Sequence, residues 1–293
     1  MKQPAEAAVN RQTFSQRMRS YRRRPGALIL HLITLLAAVA TAAALLFLIG
    51  YILVMGIPNL TPELFQLHYT SDNVSFMPAI LNTIITVLLS LLIAAPLGIF
   101  AAIYLVEYTG RGNKVVAVVR MTAETLSGIP SIVYGLFGML FFVTALDWGY
   151  SLLAGAFTLA IMILPLIMRT TEEALRSVPD SYREGSFGLG AGRLRTVFRV
   201  VLPSAVPGIL AGVILAIGRV VGETAALIFT AGTVTELPEN LMSSGRTLAV
   251  HMYVLSNEGL HTEQAYATAV MLLLIVLGIN WLSAFAAKRI AKV

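Results

Sequence analysis

The sequence contains no cysteine in 293 residues, which excludes disulfides, thiolate metal sites and cysteine nucleophiles. Charge is scarce as well. Asp, Glu, Lys and Arg make up 12% of the chain, about half of the roughly 25% found in an ordinary soluble domain. Only four of the bases are lysines, and none of them follows a glycine. A G-x4-G-K-[ST] phosphate loop is therefore absent, and an energy source in ATP must reside on another polypeptide. No metal-ligand cluster and no nucleophile–base arrangement stands out, so nothing in the residues suggests catalysis.

Apolar residues are abundant, at 57% of the chain. They recur in stretches of about 20 residues, the length that crosses a hydrocarbon core of roughly 30 Å. Six spans are predicted, over residues 27–55, 79–105, 122–146, 150–168, 205–232 and 265–287. All six should be helices, because backbone facing lipid must satisfy its own hydrogen bonds. The expected fold is thus an all-α polytopic membrane protein, with a basic tail over 1–25 and one transmembrane domain over 26–293. The apolar run after the tail exceeds a signal peptide's core and lacks a cleavage site, so it should remain as the first span.

With a cytoplasmic N-terminus, nineteen of the 21 basic residues fall on the inside, which leaves Arg246 outside and Arg219 within a span. This asymmetry predicts that both termini face the cytoplasm. The inside bases include Lys2, Arg11, Arg17, Arg19, Arg22, Arg23 and Arg24 of the tail, then Arg111, Lys114 and Arg120, and finally Lys288, Arg289 and Lys292. The net charge of +6 follows from topology rather than from a nucleic-acid partner; the bilayer is the partner of the apolar surface.

Few polar residues lie within the spans. His31 and Trp148 sit near the interfaces, where amphipathic side chains commonly gather. Asn82, Thr86 and Ser90 recur every four residues and share one helical face. They can line a path or serve as interhelical hydrogen-bonding residues. Arg219 lies about 15 residues beyond Pro203, on the order of 22 Å along a helix. A charge at that depth normally faces a protein interior or a water-filled cavity. Glu223 follows at i+4, so the two can meet and partly neutralise one another. Alternatively Arg219, with Glu223 and Thr224, presents its planar fork to a passing tetrahedral oxyanion. The segment Arg120 to Glu124 and Thr125 echoes that pattern, though nearer the inner interface, so Glu124 is a second path candidate and Arg120 a member of a solvated ion pair. Arg246 is an ordinary outer arginine, or a first contact for an anion or a soluble protein.

The most structured polar segment runs over 170–203. Ser181 and Glu184 have the spacing of a capping box, which predicts a short helix starting there. Gly188, Gly190 and Gly192 interrupt it. Leu194, Val197, Phe198 and Val201 then recur at helical spacing, with Arg193, Arg195 and Arg199 between them, and this second helix is expected to stop before Pro203. Two short helices at an angle make a protruding surface. A basic helix lying on anionic lipid is the other reading of the same residues.

Glu184-Gly185-Ser186, three residues, Gly190, nine residues, Val200, one residue, Leu202-Pro203 resembles the E-A-A-x3-G-x9-I-x-L-P motif of binding-protein-dependent ABC importer permeases. Every spacing fits, and the departures at Gly185, Ser186 and Val200 are small. The resemblance implies a type I importer fold in which Ser181, Glu184, Gly185, Ser186, Gly190, Leu202 and Pro203 belong to the docking surface for a separate ATPase. Leu126 to Gly135 and Ile217 to Leu227 narrow the resemblance to the phosphate permeases PstA and PstC, with compact outer loops closer to PstA. It implies a homologous second permease, an ATPase dimer that binds ATP and Mg, and a periplasmic or extracellular phosphate-binding protein. No cofactor is expected on this chain. Permeation of another oxyanion or solute is the alternative, as is ion-coupled secondary transport. No inverted repeat supports the latter, although Pro96, Pro130 and Pro165 are available to break helices.

Overall fold

The computed structural model describes residues 25–110 and 112–290. The basic tail over 1–24, Arg111 and Lys292 lie outside the described residues. Two compact units divide at Val54 and Met55. The first contains most of α1 (Pro25–Gly56), a helix long and apolar enough to cross a membrane.

In the second unit, α2 (Met77–Ile103) continues through a π turn over Tyr104–Tyr108. Next come α3 (Lys114–Ser127) and α4 (Ser131–Gly138), the latter prolonged by a π turn over Met139–Ala145. Helix α5 (Leu152–Arg176) leads to a short α6 (Asp180–Gly188). Then α7 (Arg193–Thr196) runs through a π turn into α8 (Leu202–Val221). A four-residue α9 (Ala225–Ile228), α10 (Leu248–Glu258) and α11 (Thr262–Ile290) complete the unit.

Among the described residues, five helices are long and apolar enough to span a bilayer by themselves, and a sixth crossing exists if α3 and α4 are taken together. The third span, expected as one helix, is therefore broken: the axes of Lys114–Ser127 and Ser131–Ala145 differ by 100°. Gly128, Ile129 and Pro130 cause the break, because Pro130 lacks an amide hydrogen and excludes its predecessor from helical angles. Pro96 and Pro165 do not break their helices, contrary to their availability as breakers. The fifth span also ends earlier than residue 232, at Val221, with Gly222 as its C-cap.

Helix α5 lies at the centre. Of its apolar span 67% is buried, against 22% for Met77–Tyr108 and 28% for Arg193–Val221. Its small residues Ala154, Gly155, Ala156, Thr158 and Ala160 admit neighbouring backbones closely, which is how helices associate in lipid, where apolar contact alone gives little advantage over lipid chains. A side chain added at Gly138 would overlap Thr158, and one at Gly212 would overlap Thr170. The hydroxyls that occupy these contacts bond to their own helix: Thr158 donates to the Ala154 carbonyl at 2.8 Å and Thr170 to that of Leu166 at 2.9 Å. Each is thereby satisfied before it is buried.

Candidate functional site

The segment between α5 and α8 is a built surface. Pro179 precedes α6 with φ −56° and ψ 139°, so the helix begins at Asp180, and Ser181 occupies a helical position without forming a cap bond. The expected capping box is thus corrected: proline's fixed φ puts the N-cap at Pro179, two residues before Ser181. The other end of α6 closes as a Schellman motif. The Ala191 amide donates to the Ser186 carbonyl at 3.1 Å and the Gly190 amide to that of Phe187 at 2.9 Å. Gly190 sits at φ +83°, a backbone angle that explains why glycine stands at this motif position.

After the turn, the chain does not stop before Pro203, as expected, but runs helically from Arg193 to Val221. The π turn over Val197–Val201 shifts the hydrogen-bond register just ahead of the proline, whose missing donor is thereby accommodated. Leu202 is half-buried and Pro203 exposed on this continuous helix. Val197 and Val201 are buried against Ile103, Leu105, Leu175 and Val178, which fasten the protrusion to the ends of α2 and α5.

Arg183 adds a polar anchor that no spacing rule announces. Its Nη2 lies 2.7 Å from Glu107 Oε1 and also donates to the Leu175 carbonyl at 3.0 Å, while Nη1 donates to that of Val178 at 2.8 Å. One guanidinium thus neutralises a carboxylate that is 9% exposed and satisfies carbonyls at the end of α5. Ser186 and Thr196 share a 2.8 Å hydrogen bond across the turn. Glu184 and Gly185 are exposed, and Glu184 forms no ion pair among the described residues. The tip carries Leu189 at 90% exposure, flanked by exposed Tyr182, Phe187, Leu194 and Phe198 and by Arg193, Arg195 and Arg199. An apolar knob ringed by bases has the make-up of a protein-docking surface.

Beside it, a cleft of about 750 Å³ is lined by Glu107, Lys114, Arg120, Arg176, Arg183 and Arg193, among others. Arg120 lies 2.7 Å from Glu172, and Arg176 reaches the same carboxylate at 2.7 Å. The sequence echo around Arg120 therefore resolves into a triad with Glu172 of α5. Glu124 stands exposed beside it.

Arg219 and Glu223 are separated by the end of α8. The i+4 contact requires a continuous helix, but Gly222 ends it, and among the described residues the two form no ion pair. Glu223, 8% exposed, turns to α9 and accepts a hydrogen bond from the Ala226 amide at 3.1 Å, the role of a helix-capping acceptor. Thr224 stands at the N-cap position without a side-chain cap bond. Arg219 remains half-buried, with no ion pair or hydrogen bond among the described residues.

Asn82, Thr86 and Ser90 share a face, as their spacing requires, and that face points into the helix packing. Ser90 donates to the Ala156 carbonyl of α5 at 3.2 Å, and Asn82 donates to the carbonyl of Arg246 at 3.2 Å.

Known proteins supply an independent comparison. Residues 94–292 match the family of binding-protein-dependent transport system inner membrane components. The chain is 35% identical over 280 residues to the probable ABC transporter permease protein YqgI of Bacillus subtilis, across 87% of this chain and 94% of that one. It is 37% identical over 229 residues to the phosphate transport system permease protein PstA of Pasteurella multocida, across 77% and 81% respectively. Its fold is also similar to a chain of a bacterial alginate ABC transporter solved with a pentasaccharide-bound periplasmic protein, with a TM-score of 0.68 at 16% identity, over 93% of this chain and 98% of that one. The chain belongs to the binding-protein-dependent transport system inner membrane component family, as a multi-pass permease subunit of an inner-membrane ABC importer that takes its ATP hydrolysis from a partner ATPase and its solute from a binding protein.

Proposed function

We propose that this permease imports inorganic phosphate as a PstA-like subunit, with a homologous PstC-like permease, a PstB-like ATPase dimer and a PstS-like binding protein. Relatives named as PstA at 34–41% identity support the substrate. The observation that carries the reading is Arg219, a guanidinium without a paired carboxylate inside an apolar helix. Its fork suits a tetrahedral oxyanion, and the lack of a fixed partner leaves it able to engage and release one. Glu223 fixes the turn after Arg219 by capping α9, which places Thr224 beside the path. Glu124 supplies a negative wall that weakens retention of an anion. Asn82, Thr86 and Ser90 act from behind, holding α2 on α5. The segment around Glu184, Gly190 and Leu189 docks to the ATPase on the cytoplasmic side, with both chain termini on that side.

ATP-driven uptake by the reconstituted four-component importer tests this reading. Arg219→Gln should reduce phosphate uptake by at least tenfold at unchanged complex abundance, and Arg219→Lys should rescue poorly because an ammonium lacks the fork. Arg219→Gln combined with Glu223→Gln should stay inactive, since the two are not a self-neutralising pair. Recovery in that double variant, or uptake of sulfate in preference to phosphate, refutes the assignment.

A further inference from the structure

A second unpaired arginine lies at the Met77 end of α2, away from the coupling surface. Arg246 is 3% exposed and sits just before α10. Its backbone is held firmly, with the amide donating to the Val234 carbonyl at 2.9 Å and the carbonyl accepting from Asn82. The guanidinium lies over the ring of Tyr69, 4.9 Å from the centroid. No carboxylate comes within ion-pair distance among the described residues; Glu258, the acid that acts on it electrostatically, does so from farther away. Tyr69 is the polar side chain that acts on the guanidinium most directly, yet Nε and Nη2 are both buried and neither makes a well-formed hydrogen bond among the described residues.

Those two nitrogens carry the parallel N–H bonds of the guanidinium's lateral edge, which two oxygens of one oxyanion match. Further buried polar groups follow on the same segment, and Tyr69 touches both Arg246 and His251. Thr247 is 2% exposed, its hydroxyl is unbonded, and it leaves the N-terminus of α10 without a side-chain cap. His251, one turn further on and 1% exposed, lies against the Val74 backbone, and neither ring nitrogen makes a well-formed hydrogen bond among the described residues. Tyr69 meets it edge-on at 6.2 Å. The first amide of α10 is taken by Thr83 Oγ1 at 2.9 Å, but the buried guanidinium, the Thr247 hydroxyl and the His251 imidazole at the start of that helix have no anionic partner within ion-pair distance among the described residues. A buried guanidinium without a counter-charge is strongly disfavoured, whereas a bidentate anion satisfies it.

We propose that Arg246, Thr247 and His251 form a binding site for one small inorganic oxyanion, clasped by the Arg246 fork at the start of α10. Bound there, the anion fastens α10 to Tyr69 of the preceding outer loop and to Asn82 of α2. The site does not depend on which solute the importer carries.

The test is the thermal transition of the full-length chain in detergent, with chloride exchanged for phosphate or sulfate at constant ionic strength. At a hundredfold excess over the dissociation constant the transition should rise by on the order of 5 °C. Measured in the Arg219→Gln background, so that the proposed translocation residue cannot contribute, the rise should be present, disappear on adding Arg246→Gln, and need at least tenfold more anion on adding Arg246→Lys. If Arg246→Gln does not fold, Thr247→Val and His251→Gln should each weaken binding of radiolabelled phosphate in equilibrium dialysis. No rise in the Arg219→Gln background with either oxyanion, or a rise there that persists on adding Arg246→Gln or is unaltered in both reserve variants, overturns the proposal.

Discussion

Arg183 and Arg219 are the same side chain in opposite circumstances. The first is consumed by Glu107 and the carbonyls of Leu175 and Val178, so it is a fixed anchor; the second forms no such bond among the described residues. Their legibility differs for the same reason. A charge within an apolar run is conspicuous in sequence because lipid makes it costly. Glu107 and Arg183 are 76 residues apart and each looks like an ordinary surface charge until the ends of α2 and α5 meet. His251 was equally silent, since nothing in a short mixed segment announces that one histidine will be 1% exposed. Burial and then the nearby charge of Arg246 push its pKa down to about 3, with Val74 opposing. Tyr69 packs against it and Glu258 stands on the same helix. Because the folded value lies below the unfolded one of about 6.5, protons bind preferentially to the unfolded chain. Stability from this group is complete above pH 6.5 and falls as the pH drops toward 3. Between pH 7.5 and 5 the loss should be about 2 kcal/mol, one and a half pKa units' worth. Denaturation of wild type and His251→Gln at both pH values checks this, with the variant expected to lose that much less; equal losses would show that His251 is not the group responsible.

At the scale of elements, the coupling segment was readable as a protrusion because glycines and a proline punctuate it, yet its internal geometry was not. A capping box is a matter of spacing, and the spacing at Ser181 and Glu184 was overridden by a proline that dictates where the helix starts. The continuous helix through Pro203 was hidden for a related reason: a π turn can absorb a proline, and no sequence pattern marks a π turn. The broken third span, conversely, was written in Gly128-Ile-Pro130, but an apolar run looks like one helix when only hydropathy is counted. The two glycines of the motif now separate. Gly190 has open space around it but a positive φ, so a side chain is opposed by backbone strain alone. Gly190→Val should destabilise the turn by about 1–2 kcal/mol and impair ATPase association. Gly185 lies within α6, also with open space, and there Gly185→Ala should stabilise the helix by up to about 1 kcal/mol and retain association. Pull-down of the ATPase by each variant, with insertion checked in parallel, distinguishes them. Normal binding by Gly190→Val would show that the Schellman turn is not what positions the docking surface.

For the whole molecule, the all-helical multi-pass architecture followed from composition alone, while the question of where a solute passes needs three dimensions. The centre of the second unit is filled: Leu159, Met162, Ile163 and Ile167 of α5 are each at most 1% exposed, and the polar stripe of α2 is buried among them. A packed interior cannot be the pore, so in the proposed heteromeric importer the path would run along an outer face completed by the second permease. Glu124 is exposed on α3 and Arg219 half-exposed on α8, and charges in such places do not face lipid. The face that carries Glu124 should therefore meet the second permease. The absence of native cysteine makes this directly measurable, because every introduced thiol is the only one in the chain. Met121→Cys and Thr125→Cys, both exposed on α3 beside Glu124, should cross-link to a homologous but distinct permease in native membranes. Leu189→Cys, at the exposed tip after α6, should cross-link to the ATPase instead. The two patterns should not exchange, since α3 is fastened to α5 through Arg120 and Glu172 while the tip is held to the ends of α2 and α5 by Arg183 and the apolar cluster. Homodimers trapped through Met121→Cys in a fully active complex would replace the heteromeric pathway with a symmetric one, and lipid-only labelling at both α3 positions would move the path to another face.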